Sequence, residues 1–247
     1  MINIFMRSPL PNSLAAVVFM ALVLSWFASL ILIAMDVPVP IDKGWYIELL
    51  SATSLLGILA TLDLVQAHGI AVAFASIVFI VLVLNMTVPI LKISGKSSHT
   101  IVQDWHKWSA PVSAVGGLVI SGYLTFIEST NAQIACGPSG GCDAVQNSRY
   151  AILFGVLPIS VFGLAGYIAI LAGWLAWQFG PKKTTRMAAL AIWAMCFFGV
   201  LFSAYLTFLE PFVIGATCMW CVSSAVLMTI LLWSSTPAAQ KAFATEE

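Results

Sequence analysis

The chain is divided by long intervals that carry no charge. No Asp, Glu, Lys or Arg occurs between Arg7 and Asp36, Asp63 and Lys92, Arg149 and Lys182, Arg186 and Glu210, or Glu210 and Lys241. Each interval can hold the roughly 20 apolar residues that cross a hydrocarbon core as helix. Helix is required there, because backbone exposed to lipid must satisfy its own hydrogen bonds. With 61% hydrophobic and only 8% charged residues, the chain cannot be an ordinary soluble domain, and no nucleic-acid partner is expected.

Seven spans are predicted, at about 12–35, 46–65, 70–91, 108–129, 152–178, 187–209 and 217–235. The second carries Glu48 and Asp63 at its ends, where a carboxylate is tolerable, and Ser51, Thr53 and Ser54 in its middle. The first is longer than a signal-peptide core and is read as a retained helix. Pro89 is expected to kink or end the third. His68, beside Gly69, reads as a turn residue rather than a ligand. Lys92, Lys96 and Lys107 precede the fourth span, Lys182, Lys183 and Arg186 link the fifth to the sixth, and Lys241 follows the seventh. All three groups fall on one side, which the positive-inside rule makes cytoplasmic. Seven spans then put the N-terminus outside, where Arg7 is discordant.

Within the second half, a segment occurs twice. Gly117-Leu-Val-Ile-Ser-Gly-Tyr-Leu-Thr-Phe-Ile-Glu128 recurs 82 residues later as Gly199-Val-Leu-Phe-Ser-Ala-Tyr-Leu-Thr-Phe-Leu-Glu210, with seven of twelve positions identical. Each copy is followed eight residues on by a cysteine, Cys136 or Cys218, and then by a second, giving Cys136-x5-Cys142 and Cys218-x2-Cys221. Each repeat is therefore a helix running outward, a cysteine-bearing turn and a helix running back. Two such parallel repeats favour a bundle packed around a shared site. Gly117/Ser121/Thr125 and Gly199/Ser203/Thr207 form small-residue stripes for close helix packing. Glu128 and Glu210 are expected to cap or pair at the outer interface, ahead of any role in handling protons.

The cysteine spacing carries the chemistry. Cys218 and Cys221 share a helix face, and the first thiol sits at a helix N-terminus, where orphan amides and the macrodipole favour thiolate. A disulfide there closes so small a loop that it would constrain little unfolded chain. Four sulfurs could in principle hold a metal, but an active dithiol is the preferred reading and no metal is expected. Gly137 to Gly141 cannot remain helical and predict a mobile loop, as suits a thiol that must meet two partners through mixed disulfides. Cys196, in the middle of the sixth span, reads as a packing residue. With no haem, flavin or iron–sulfur pattern, a lipid-soluble quinone is the best-fitting electron acceptor. Phe212, Met219 and Trp220 are candidate pocket residues.

Cys142-Asp-Ala-Val-Gln-Asn-Ser148, the stretch through Gly155, Pro158, Ser160, Gly163 and Tyr167, the paired Ser-x-Tyr-Leu-Thr-Phe motifs and Cys218-Met-Trp-Cys221 together resemble the vitamin K epoxide reductase family in its bacterial form. The resemblance covers roughly 105–235. It implies an all-α polytopic membrane fold, a four-helix bundle of two parallel repeats around a quinone, here preceded by about three extra transmembrane helices. The implied division is 1–104 of unknown role, 105–235 the redox domain and 236–247 a short cytoplasmic tail.

The resemblance also implies roles. Cys221 would be the thiolate nearer the quinone, and Cys218 would exchange with Cys142. Cys136 would meet the external partner, and Ser148 would lie near the relay. Ubiquinone or menaquinone would accept the electrons. Many bacterial relatives carry a fused thioredoxin-like domain. Only about a dozen residues follow the last span here, so a separate DsbA-like or thioredoxin-like extracytoplasmic partner is expected. The implied setting is a bacterial plasma membrane with the cysteines outside. Vertebrate members place a tyrosine four residues after the last cysteine, where this chain has Ala225, which favours simple quinone reduction over epoxide reduction. The rival from another class is a membrane scaffold or transporter with structural disulfides.

Overall fold

The computed structural model describes residues 2–35, 44–62, 69–93, 105–137 and 141–244, without the side chains of 44–47, 88–93 and 105–107. Asp36, Asp63, His68, Lys96 and residues 138–140 lie outside them, as do the side chains of Lys92 and Lys107. The elements are α1 (Ile2–Phe5), α2 (Pro9–Ala34), α3 (Gly44–Leu62), α4 (Ile70–Ile93), α5 (Trp105–Thr130), α6 (Cys142–Gln146), β1 (Ile152–Leu153), β2 (Leu157–Pro158), α7 (Ile159–Phe179), α8 (Lys182–Leu209) and α9 (Met219–Ala244). Among the described residues six helices are long and apolar enough to cross a membrane, and Glu48–Leu62 is a shorter apolar helix. The chain is an all-α polytopic membrane protein whose four-helix redox bundle follows additional apolar helices.

Three predicted boundaries move, and one of them is the end of the seventh span, whose helix runs on to Ala244 through most of the segment expected to be a tail from 236. The fifth span begins at Ile159 rather than 152, because 152–158 closes an antiparallel hairpin pairing Ile152 with Pro158 and Leu153 with Leu157. Its tip holds Phe154 and Gly155 at positive φ. The sixth span takes Lys182, Lys183 and Arg186 into its own first turns, leaving Gly180 and Pro181 as the link. Pro89 does not end α4, which continues to Ile93.

α5, α7, α8 and α9 form a ring of four, each packed on the next. α9 also packs on α2 and α3, while α4 packs on α3 and α5. The extra helices thus cover the side of α9 that a bare four-helix bundle would turn to lipid, and α9, nearly all of it buried, has no separate polar face. Hydrogen bonds fasten the two halves within the membrane: Ser29 with Thr236 at 3.0 Å, Gln240 Nε2 to the Leu32 carbonyl at 3.0 Å, and Asn85 Nδ2 to Ser113 at 3.2 Å. Other hydroxyls, such as Thr229 and Ser234, donate to carbonyls one turn back in their own helix.

These contacts fix the helix directions. The start of α2 lies by residue 217 and its end by residue 240, so α2 and α9 run parallel. The N-terminus is therefore at the end of the bundle that holds the cysteines. The opposite end carries Lys241 and Arg186, whose Nε donates to the Ala242 carbonyl at 3.0 Å.

Candidate redox site

The two repeats place their acids similarly. α8 passes into a π turn, Glu210–Ile214, which ends at Gly215 with φ +77°. That left-handed value suits glycine, and the Gly215 N–H donates to the Glu210 carbonyl at 2.8 Å. The turn folds the buried Glu210 side chain back, so that its Oε2 accepts the Cys218 N–H at 3.0 Å. In the first repeat, the Glu128 carboxylate accepts the Ser160 hydroxyl at the start of α7. Each acid thus engages the beginning of the returning helix of its own repeat.

Cys218 immediately precedes α9, and its carbonyl accepts the Val222 N–H at 3.0 Å. The thiol is fully buried. Burial alone would raise it, but hydrogen bonds from the Cys221 side chain, from the N–H groups of Cys221 and Trp220, and from Gln146 hold it below its ordinary value. Cys221 is one turn further in. Gln146 Nε2 approaches its sulfur at 3.9 Å, and Glu210 lines the same cavity.

Cys136 and Cys142 are joined as a disulfide with Cα atoms 5.9 Å apart, while Cys218, Cys221 and Cys196 are free thiols. Cys142 is fully buried and Cys136 partly exposed. Two contacts press this loop onto the start of α9. A Cβ on Gly141 would lie 2.6 Å from the Thr217 carbonyl oxygen, so only glycine permits that approach. Ala135, next to Cys136, donates its N–H to the Tyr123 hydroxyl at 3.1 Å and accepts Trp220 Nε1 at 3.0 Å. Gly141 and Thr217 each precede a redox cysteine by one residue, so backbone contact at these positions sets the two dithiols side by side.

A cavity of about 260 Å³ opens beside Cys221, walled by α5, α7, α8 and α9 and by the loop residues Gln146 and Ser148. Its walls are mostly apolar and include the small-residue faces of both repeats: Ser121, Gly199, Ser203 and Thr207. Gly117 is needed here because a Cβ would overlap the ring of Tyr167, whose hydroxyl is held by Ser224 Oγ at 2.8 Å. Ser148 faces the cavity with a buried hydroxyl that has no hydrogen-bond partner among the described residues.

The predicted pocket residues do not line this cavity. Phe212 stacks on Phe5 and lies beside Phe208, with centroids 5.8 and 5.0 Å away. Met219 and Trp220 are buried elsewhere, since they leave α9 on faces other than that of Cys221, and Trp220 packs on Tyr123 with centroids 4.6 Å apart. The actual lining from Tyr167, Phe162, Phe198 and Phe202 comes from α7 and α8. Gln146 was also not singled out. Its place one turn after Cys142 is the signal that could have found it. Tyr123 and Tyr205 occupy matching repeat positions but diverge, the first buried and hydrogen-bonded and the second 53% exposed.

An outer disulfide packed against an inner dithiol, with that dithiol open to a membrane cavity, defines a membrane thiol oxidoreductase. The model of the Vitamin K epoxide reductase family matches residues 108–236 of the 247, and the chain belongs to that family. It is also similar to "Thiol-disulfide oxidoreductase LTO1" of Arabidopsis thaliana, with 33% identity over 124 residues that make up 46% of this chain and 31% of that protein. The chain spans about a third of the length of that curated relative. No solved structure matches the chain.

Proposed function

We propose that this protein is a quinone-dependent thiol oxidoreductase that supports disulfide formation outside a plasma membrane. It takes electrons from an extracytoplasmic DsbA-like or thioredoxin-like dithiol protein through Cys136/Cys142 to Cys218/Cys221, and then to a membrane quinone. The observation that carries this reading is the difference in access between the pairs. The outer pair has one partly exposed sulfur, whereas the inner pair has Cys221 on a cavity inside the bundle. The name of the plant relative points to the same reaction class.

A quinone ring fits the donor set. The cavity is near the lower end of small-molecule pockets, about 300 Å³, and pairs apolar walls with the unpartnered Ser148 hydroxyl and the Cys221 thiol. When bound, a quinone accepts two electrons and two protons from a dithiol. Ser148 is suited to orient it, Phe162, Phe198 and Phe202 to exclude water, and Glu210 to hold the proton released by Cys221. Ala225, on the cavity wall, offers only a methyl group, so no hydroxyl acts from that position, and quinone rather than epoxide is the substrate favoured.

Between the pairs, Cys142 attacks Cys218 of an oxidised inner pair and releases Cys221 as thiolate. Cys136 then attacks Cys142 and releases Cys218. The product is an oxidised loop and a reduced inner pair, the state found here. In a cell lacking its own quinone-coupled thiol oxidase, this protein and a compatible partner should restore oxidised exported proteins. Equal rescue by Cys218→Ser/Cys221→Ser would exclude the redox reading and leave the scaffold alternative.

A further inference from the structure

We propose that the N-terminal helix pair, outside the segment matched by the family model, is part of the redox machinery, with Asn12 positioning Cys218 for exchange with Cys142. The inference rests on the relay proposed above.

Asn12 is fully buried and both ends of its amide are used. Nδ2 donates to the Phe5 carbonyl at 2.7 Å, closing α1 onto α2. Oδ1 accepts the Thr217 hydroxyl at 2.9 Å. Thr217 is itself 1% exposed, so neither group can exchange its partner for water. Around this bond the N-terminus packs on the turn that leads to Cys218. A Cβ on Gly215 would meet Ile4 at 2.7 Å, and Phe5 stacks on Phe212.

Thr217 is consequently gripped from two sides. The Asn12 amide holds its side chain, and Gly141 of the disulfide loop lies against its backbone. Exchange requires three sulfurs to line up as one bond forms and another breaks. Cys218 follows Thr217 directly and Cys142 follows Gly141, so the orientation of residue 217 sets the approach of the two sulfurs. Without Asn12, the Thr217 hydroxyl loses its acceptor and the segment can rotate away.

The test uses the full chain carrying Cys221→Ser. There, Cys218 thiolate attacks Cys142 of the loop disulfide and Cys136 leaves as thiolate; Cys136 can attack back, so Cys142–Cys218 and Cys136–Cys142 stand in an intramolecular equilibrium with no exit through residue 221. Non-reducing peptide mapping gives the ratio of Cys142–Cys218 to Cys136–Cys142. Asn12→Ala and Thr217→Val should each lower that ratio about tenfold. Thr217→Ser, which keeps the hydroxyl, should retain it, and the double variant Asn12→Ala/Thr217→Val should fall no further than either single one. A role in packing alone would lower thermal stability without moving the ratio, and an unchanged ratio in both Asn12→Ala and Thr217→Val overturns the inference. If Asn12→Ala does not fold, the contrast between Thr217→Val and Thr217→Ser decides. Absence of Cys142–Cys218 from the Cys221→Ser parent would instead sink the relay itself, and this inference with it.

Discussion

The Glu210 carboxylate accepts the backbone N–H of Cys218 at 3.0 Å, and the same buried residue lines the cavity beside Cys221. One buried acid therefore anchors the start of the inner dithiol by its backbone and stands on the wall that Cys221 faces. The π turn makes this possible. The turn and the left-handed Gly215 end the helix and bring the chain back, so that the N–H of Cys218 meets the carboxylate.

Glu210→Gln and Glu210→Ala should separate. Gln keeps an acceptor for the Cys218 N–H and should retain most of the stability. Ala leaves a buried donor without a partner and should cost about 1–3 kcal/mol. Thermal unfolding in detergent measures the difference. Equal loss in both variants would mean that the negative charge, rather than the hydrogen bond, is what the fold requires.

Ser148 gives a prediction of opposite sign. Its hydroxyl is buried without a partner among the described residues, so Ser148→Ala should leave stability unchanged or slightly raised. If the hydroxyl serves a bound quinone, the quinone KM should rise by about two- to tenfold. Steady-state quinone reduction at varied quinone concentration reads this directly. An unchanged KM would remove Ser148 from the pocket.

Gly117→Ala places a methyl group inside the Tyr167 ring. Overpacking of this kind costs about 1–3 kcal/mol, and the displaced ring should narrow the cavity. Quinone-linked turnover is expected to fall more than thiol exchange between the two cysteine pairs. Comparing turnover with the rate of exchange in a single oxidation cycle checks this.

The membrane helices are legible in the charge-free intervals because lipid imposes both length and hydrogen bonding on any crossing segment. The inner dithiol is legible because Cys-x-x-Cys before an apolar helix has few other uses. What is not legible is which face of each helix meets which neighbour. Near-uniform hydrophobicity in α2, α7 and α9 leaves no pattern to read, so nearness in sequence to the cysteines points to Phe212, Met219 and Trp220, while the cavity draws on Phe162 and Tyr167 some 50 residues away. The same lack of pattern hides the junction of Asn12 with Thr217, two ordinary polar residues 205 positions apart.

The helix directions put residue 3 and Cys136 at one end of the bundle and Thr184 at the other, which makes the proposed sidedness testable. After reduction, Cys136 in intact cells should react with a membrane-impermeant thiol reagent, as should an Asn3→Cys variant, since the N-terminus lies at the cysteine end. A Thr184→Cys variant at the opposite end should not. Labelling of Thr184→Cys alone would put the dithiols in a reducing compartment, where disulfide formation has no place.

In the proposed relay, electrons leave the protein through Cys218 and Cys221. The most direct measurement is quinol formation by purified protein in lipid nanodiscs, with a small dithiol as reductant. Wild type and Cys136→Ser should both reduce quinone, because a small dithiol can reach the inner pair without the loop. Cys218→Ser/Cys221→Ser should form no quinol above the protein-free rate. Quinol formation by that double variant at the wild-type rate would contradict that relay.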